Sequence, residues 1–320
     1  MQVEVVDLSK VPGVQDSLCY GIARTNQMAD KKAAEFQTDQ SLYVYFHLPA
    51  GSTQEQRDRT QDTLRRRYLK MAPDTKLVDK IQDVPDNVPF VMGTRGASPQ
   101  TREEIARRQG AGQLEVLMDT TCPYVTTQET AARKLLEEGY QLVFCGLPEY
   151  HGLPRLRGLA QLYDKEVHVA HRPEDVAKLP FKRVTRIGVI LQTTWHMSLA
   201  KDAIAELVST FREVRVMDTS CIDSLARVPA ARRIAEESDV VVLVDIGKVA
   251  RYLEEEIEET ARRAGAGKCA TVHRIENKSQ LSPEWFAADS KVSILGGINV
   301  HRTVLDEVAV TIRGFHQFST

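Results

Sequence analysis

The chain of 320 residues lacks most of the features that announce a functional class at sight. No apolar run approaches the roughly 18–20 residues that a bilayer-spanning helix needs, so no membrane partner is expected. Basic and acidic residues nearly balance, 42 against 44, and the net charge of −2 speaks against nucleic acid or an anionic membrane surface. The opening MQVEVVDLSKVPG has no basic stretch followed by an apolar one. It reads as no secretory signal, and a cytoplasmic location is expected. No Gly-x-Gly-x-x-Gly follows any apolar run, which leaves no nucleotide-binding fingerprint. Low-complexity sequence is absent. Cysteines number only five and lie far apart, unlike the disulfide framework of a small secreted domain. In a reducing compartment such thiols are buried fillers, nucleophiles or metal ligands.

What is present is repetition. VLMDTTC (residues 116–122) is followed by a helical pattern and the apolar run LVFC, and VRVMDTSC (214–221) by a helical pattern and VVVLV. Each carries Ala-Ala-Arg beginning nine residues past its cysteine. A fainter copy runs from Asp16-Ser17-Leu18-Cys19 through a helical stretch to SLYVYFH. The second half of each copy repeats too. VPFVMGTRGASPQTREEIARR, RIGVILQTTWHMSLAKDAIAEL and KVSILGGINVHRTVLDEVAVTI each read as apolar strand, small-residue turn and amphipathic helix. Apolar runs of this length suit strands buried on both faces of a parallel sheet. The fold class expected is α/β: three pseudo-threefold-related α/β domains around a central cavity. They are placed at residues 1–117, 118–213 and 214–320, with Cys19, Cys122 and Cys221 one to each.

These three cysteines stand where apolar strands give way to helices. In α/β units ligands bind at such places, and a helix N-terminus favours the thiolate that binds metal. Three thiolates from three related turns suit one four-iron cluster whose fourth iron is left open. Four-cysteine ligation is the usual electron-transfer arrangement, so a missing fourth thiolate points to chemistry at the cluster. Buried cysteines are often mere fillers, but the repeated Asp-x-x-Cys registration outweighs that reading. Cys145 and Cys269 repeat nowhere and read as core, with Cys145 kept as a secondary ligand candidate because of the loop that follows it.

The chain resembles the 4-hydroxy-3-methylbut-2-enyl diphosphate reductase family, known as IspH or LytB. The motifs that carry the resemblance are Asp119-Thr-Thr-Cys122-Pro123, the G-x-P-x-x-x-G stretch from Gly152 to Gly158, Gln192-Thr193-Thr194 and Asp218-Thr-Ser-Cys221. Cys19-Tyr-Gly-Ile-Ala-Arg and Arg95-Gly-Ala-Ser-Pro99 add to them, in the family's order, over residues 16 to 310. The resemblance implies a trefoil of three α/β domains about a 4Fe–4S cluster on three cysteines. It also implies removal of an allylic hydroxyl with two electrons and two protons, the apical iron binding the hydroxyl oxygen. An external electron donor such as ferredoxin or flavodoxin follows from that chemistry.

The departures surround the cage. Leu153-Pro154-Arg155 stands for the family's His-Pro-Glu, Thr94-Arg95-Gly96 for Ala-His-Gly, and Gly297-Ile298-Asn299 for Gly-Ala-Ser. The region Ile246-Gly247-Lys248-Val249-Ala250-Arg251 replaces the serine- and asparagine-rich diphosphate cradle, and only a displaced His47 answers the family's first-domain histidine. The expectation is cluster chemistry on a different small molecule, hydroxylated, anionic and not an isoprenoid. The alternatives are a divergent reductase of the isoprenoid diphosphate and a non-catalytic iron–sulfur sensor. Thr194 matches the family's threonine near the substrate hydroxyl. The longer loop Leu147–Gly152 offers Glu149 or His151 for proton delivery if burial tunes them. Arg95 and Arg155, with Arg157 beside them, are placed to grip an anion, a carboxylate in preference to a diphosphate. Thr193, His196 and Asn299 complete the candidate substrate-binding set. His168, His301, Trp195 and Trp285 read as structural, and the acidic run Glu254–Glu259 and the basic stretch Arg65–Lys70 as solvated helix faces.

Overall fold

The computed structural model describes residues 1–9, 11, 14–15, 17–48, 51–245, 251–263 and 270–315. Asp16, Cys269 and residues 246–250 of the replaced cradle lie outside the described residues. The apolar runs become strands because, with helices on both faces, every position can be buried: β10 (Val240–Val244) is buried along its whole length.

Among the described residues, twelve strands form three four-stranded parallel sheets. The first runs β3 (Thr75–Val78), β2 (Leu42–Tyr45), β4 (Val88–Met92), β5 (Leu114–Asp119). The second runs β7 (Val167–Val169), β6 (Gln141–Cys145), β8 (Arg186–Leu191), β9 (Glu213–Met217). The third runs β11 (Thr271–Ile275), β10, β12 (Lys291–Gly296), β1 (Gln2–Val5). In the first two sheets the second strand in chain order is outermost on one edge, and in the third, counted from β10 with β1 last, β11 takes that place; the strand that precedes a cysteine closes the other edge. The described α-helices are α1 (Tyr20–Ala33), α2 (Gln54–Tyr68), α3 (Pro99–Gly110), α4 (Pro123–Glu137), α5 (Leu153–Gln161), α6 (Pro173–Val176), α7 (Met197–Thr210), α8 (Ile222–Glu237), α9 (Arg251–Arg263) and α10 (Arg302–Gly314). The α/β class and the three parallel-sheet units of the sequence reading are therefore present.

The partition differs from three consecutive thirds. The cuts expected after residues 117 and 213 fall inside β5 and β9, each of which closes the sheet before it. Among the described residues no strand follows β12, and the N-terminal β1 takes that edge by pairing with β12, Val3 opposite Val292 and Val5 opposite Ile294. An uncovered β12 would present a row of unpaired backbone groups. By compactness the chain forms two units, Met1–Ala23 with Ile222–Thr320, and Arg24–Cys221. The first is built on the β10/β12 valines and isoleucines, with Leu305, Val308 and Ile312 of α10 over them. The second holds two sheets and their own apolar clusters.

Trp195 is buried against His171, and Trp285 stacks on His273 with centroids 3.9 Å apart, as packing residues do. The acidic run on α9 is not simply a solvated face. Glu256 is buried and bonded to Arg232, while Glu254 pairs with Arg274 at 3.3 Å. The helix turns these two inward, where arginines offset the cost of burying carboxylates.

Candidate active site

Each cysteine follows the closing strand of a sheet and opens a helix. Cys122 is the N-cap of α4, with Pro123 in the first turn, and its carbonyl accepts from Val125 at 2.9 Å. The Cys19 carbonyl accepts from Ala23 at 2.9 Å at the start of α1, and Cys221 directly precedes α8. The three backbone amides are held alike. Cys122 N–H donates to the Thr94 carbonyl at 2.9 Å, Cys221 N–H to Thr193 at 2.6 Å and Cys19 N–H to Ile298 at 2.9 Å. Each acceptor lies two residues past the end of the strand beside the closing one: β4, β8 and β12. The repeat read in the sequence is thus a repeat of hydrogen bonding.

Within the turns, the first threonine of Asp-Thr-Thr/Ser-Cys straps the neighbouring strand end. Thr120 Oγ1 donates to the Met92 carbonyl at 2.7 Å, and Thr219 Oγ1 to the Leu191 carbonyl at 2.5 Å. Asp119 and Asp218 accept the amides two residues on, at 2.8 and 2.9 Å. Gly96 sits at φ +66° with Thr121 Cγ2 only 3.0 Å from where a Cβ would be, so the turn after β4 calls for glycine twice over.

None of the described cysteines is in a disulfide. Cys19 and Cys122 are half-buried and Cys221 is buried. Cys145 differs in kind: it ends β6 wholly inside the protein, and burial pushes its thiol up to about 12. Its burial is that of a core side chain. Among the described residues no three His, Cys, Asp or Glu side chains are grouped to hold a single metal ion. A cubane makes a different demand, one thiolate per iron, with its ligands spread around the cluster. Thiols at helix N-termini, one per turn and each with its amide fixed, fit that donor set.

Around Cys221, in the Arg24–Cys221 unit, the structure gathers most of the other candidates. Tyr150 is buried, stacks on Phe144 at 5.3 Å, and its hydroxyl meets Thr193 Oγ1 at 2.9 Å. Burial raises its phenol above the ordinary value and Cys221 adds to the rise, while Arg155, the Thr193 bond and Arg95 oppose it. His151 tilts against Tyr150 at 4.5 Å. Burial, then the charges of Arg95, Arg155 and His47, hold its imidazole well below the ordinary value, so it is neutral at neutral pH. Gln192 organises the turn: its amide oxygen accepts from Leu147 N–H at 2.9 Å and its NH₂ donates to Thr194 Oγ1 at 2.8 Å.

The two arginines play unlike parts. Arg95 lies over the Phe46 ring at 4.4 Å and donates to the His47 carbonyl at 2.6 Å. No carboxylate pairs with it among the described residues, and burial pulls its guanidinium down to about 10. Arg155 is buried with Nη2 on Gln128 Oε1 at 2.7 Å and Nη1 on Glu129 at 3.3 Å. Its fork is thereby occupied, and it reaches the site as charge only. Glu149 is an exposed turn residue. His196 Nδ1 accepts from Ser198 N–H at 3.2 Å and caps α7. Asn299 lies half-buried in the other unit, next to the Ile298 whose carbonyl holds Cys19. Two of these residues are not among the site candidates of the sequence, Tyr150 and His47. The signal for the first was its place between Glu149 and His151. Nothing local marked His47, which meets Arg95 only through the pairing of β2 with β4.

The sequence profile of the LytB protein family matches residues 14–313. A protein from Anaeromyxobacter named 4-hydroxy-3-methylbut-2-enyl diphosphate reductase is 32% identical over 76% of this chain and 80% of its own length. One of the same name from Geobacter metallireducens is 25% identical over 92% and 93%. The solved structure of the E-1-hydroxy-2-methyl-but-2-enyl-4-diphosphate reductase from Plasmodium falciparum shares the fold, with a TM-score of 0.72 at 15% identity over 95% of this chain and 86% of that one. A second solved structure, of (E)-4-hydroxy-3-methyl-but-2-enyl diphosphate reductase, superposes with a TM-score of 0.58 at 20% identity, over 98% of this chain and 100% of that one.

Proposed function

The chain belongs to the LytB protein family, and from that premise we propose that it is an iron–sulfur oxidoreductase that reductively removes a hydroxyl group from a small anionic molecule other than the isoprenoid diphosphate. The observation that carries the reading is the cysteine turn built three times, each amide on the equivalent carbonyl. Cys19, Cys122 and Cys221 are the residues that would hold a 4Fe–4S cluster. Such a cluster supplies a Lewis-acidic iron and passes electrons from a donor such as ferredoxin or flavodoxin.

The chain's own residues do the rest. Arg95, a desolvated cation with no carboxylate partner among the described residues, supplies the counter-charge for the substrate anion, and its remaining N–H groups suit a carboxylate. Arg155, its fork already engaged, adds field behind Tyr150. Thr194, fixed by Gln192, and Thr193, fixed by Tyr150, orient the substrate hydroxyl, with His196 and Asn299 at the turn ends as further polar contacts. The reduction consumes two electrons from the donor and two protons, one leaving with the hydroxyl as water and one joining the carbon. His151, neutral at neutral pH, relays a proton by taking one at one ring nitrogen as it gives up the other, with Glu149 on the exposed side of the same loop. The reaction so described needs no membrane and no nucleic acid and belongs in the cytoplasm.

The names of the relatives favour a second reading, reduction of 4-hydroxy-3-methylbut-2-enyl diphosphate itself. One experiment separates the two. The chain is reconstituted with iron and sulfide without oxygen and given reduced methyl viologen. Viologen oxidation is then followed with that diphosphate and with a panel of allylic hydroxy acids. Oxidation with a hydroxy acid alone supports the first reading, and oxidation with the diphosphate establishes the second. Product without viologen oxidation would mean redox-neutral dehydration. A chain that takes up no iron and shows no visible thiolate-to-iron band ends all three.

A further inference from the structure

We propose that Arg227 is the positioning residue of the Cys19 turn, doing from a distant helix what a threonine does inside each of the other two turns. The inference rests on the cluster reading for its purpose but not for its geometry. Thr120 and Thr219 strap the Met92 and Leu191 carbonyls, the last residues of β4 and β8. In the Cys19 turn the matching residue is Ser17, which stands at φ +69°, a left-handed conformation that a serine holds only where its surroundings enforce it. The matching strand end is Gly296, the last residue of β12. Its carbonyl is taken instead by Arg227 Nη1 at 2.5 Å, and Arg227 Nη2 donates to the Ser17 carbonyl at 2.5 Å.

One guanidinium thus ties the turn that presents Cys19 to the strand end that leads, two residues on, to Ile298. Ile298 in turn accepts the Cys19 amide. Arg227 is itself fixed. It is fully buried on α8, with Nε on Asp223 Oδ2 at 2.8 Å one helical turn back. Its place in the sequence has a counterpart. It lies six residues past Cys221 as Gln128 lies six past Cys122, and Gln128 reaches the Leu191 carbonyl at 2.6 Å. The sixth residue after the cysteine therefore braces a strand end in both copies. The other end of Gln128 accepts from Arg155, whereas the second arm of Arg227 is a donor and goes to the turn that has no threonine strap.

The test is selective reactivity. In the cluster-free full-length chain, alkylation of Cys19, Cys122 and Cys221 by N-ethylmaleimide is followed peptide by peptide with mass spectrometry. Arg227→Gln, which shortens the side chain to that of the counterpart, is expected to raise the Cys19 rate about tenfold, the value of a lost charged hydrogen bond. Cys122 and Cys221 should stay at their wild-type rates. Arg227→Lys keeps the charge but cannot span two carbonyls, and is expected to leave Cys19 as reactive as Gln does. The double variant Asp223→Asn, Arg227→Gln leaves no orphaned buried charge and is the control for folding, read by its thermal melt. After reconstitution, the same variants should show a broadened or altered electron paramagnetic resonance signal from the reduced cluster. Wild-type protection of Cys19 in the folded double variant overturns the inference. So does a rise shared equally by all three cysteines, or full rescue by lysine. A chain that takes up no iron yet shows the selective rise keeps the positioning role and loses the cluster.

Discussion

A thiol in this chain is defined by what surrounds it. Cys145 and Cys122 each lie at a strand's carboxyl side, yet one is sealed among apolar side chains and the other opens a helix. Cys145→Ala is expected to keep full iron content after reconstitution and to cost about 1 kcal/mol of stability, the centre of the range for point substitutions. Cys122→Ala should fold as well and fail to hold the iron. Iron analysis beside a urea melt reads both. The neutral imidazoles carry a pH signature. His151 in the folded chain resists a proton that the unfolded chain takes up near the ordinary value of 6.5, and His47 is shifted in the same direction. Their contribution is therefore complete above pH 6.5 and is lost as pH falls below it. His151→Gln is expected to flatten that part of the profile, measured as urea midpoint between about pH 7.5 and 5, above the range where carboxylates dominate. An unchanged slope would mean that His151 protonates freely.

At the scale of elements, close approach decides more than propensity does. The turn after β6 runs so near the next strand end that a Cβ on Gly146 would lie 2.7 Å from both Gln192 Cβ and the Phe144 ring. Gly146→Ala forces Gln192 aside, and Gln192 fixes both the Leu147 amide and Thr194. Overpacking of this kind costs about 1–3 kcal/mol. The urea midpoint should fall with the slope unchanged. Turnover should fall with it, because the displaced residue carries two site contacts. Helix N-termini follow local chemistry: Ser98 caps α3 and Pro99 opens it, the Ser98 hydroxyl accepting from Thr101 N–H at 3.2 Å. His196 caps α7 although serine, threonine and aspartate are the usual choices.

For the molecule as a whole, the same strand order recurs in all three sheets although one of them is assembled from both ends of the chain. The first residues are therefore structural. Val5 and Val6 pack into the unit made with residues 222–315, and removing residues 1–6 strips the edge from β12. With about 1.5–3 kcal/mol at stake for each well-buried aliphatic side chain, the truncated chain is expected to be cut by a protease first within 222–315. Residues 24–221 should survive longer. Equal survival of both segments would show that β1 is dispensable.

The sequence by itself determined the class of fold and the equivalence of the three cysteine turns. Both depend on local pattern: apolar runs of strand length, helix starts after Asp-x-x-Cys, and one registration met three times. It could not assign the arginines. Arg95, Arg155 and Arg227 look alike on the page, and only the tertiary structure gave one a bare charge, one an occupied fork and one a grip on two distant carbonyls. The reason is physical. A cysteine at a helix start owes its chemistry to neighbours a few residues away, whereas a guanidinium on a long side chain owes its role to whatever the fold brings within reach. For Arg227 that partner, Ser17, lies 210 residues off in the chain.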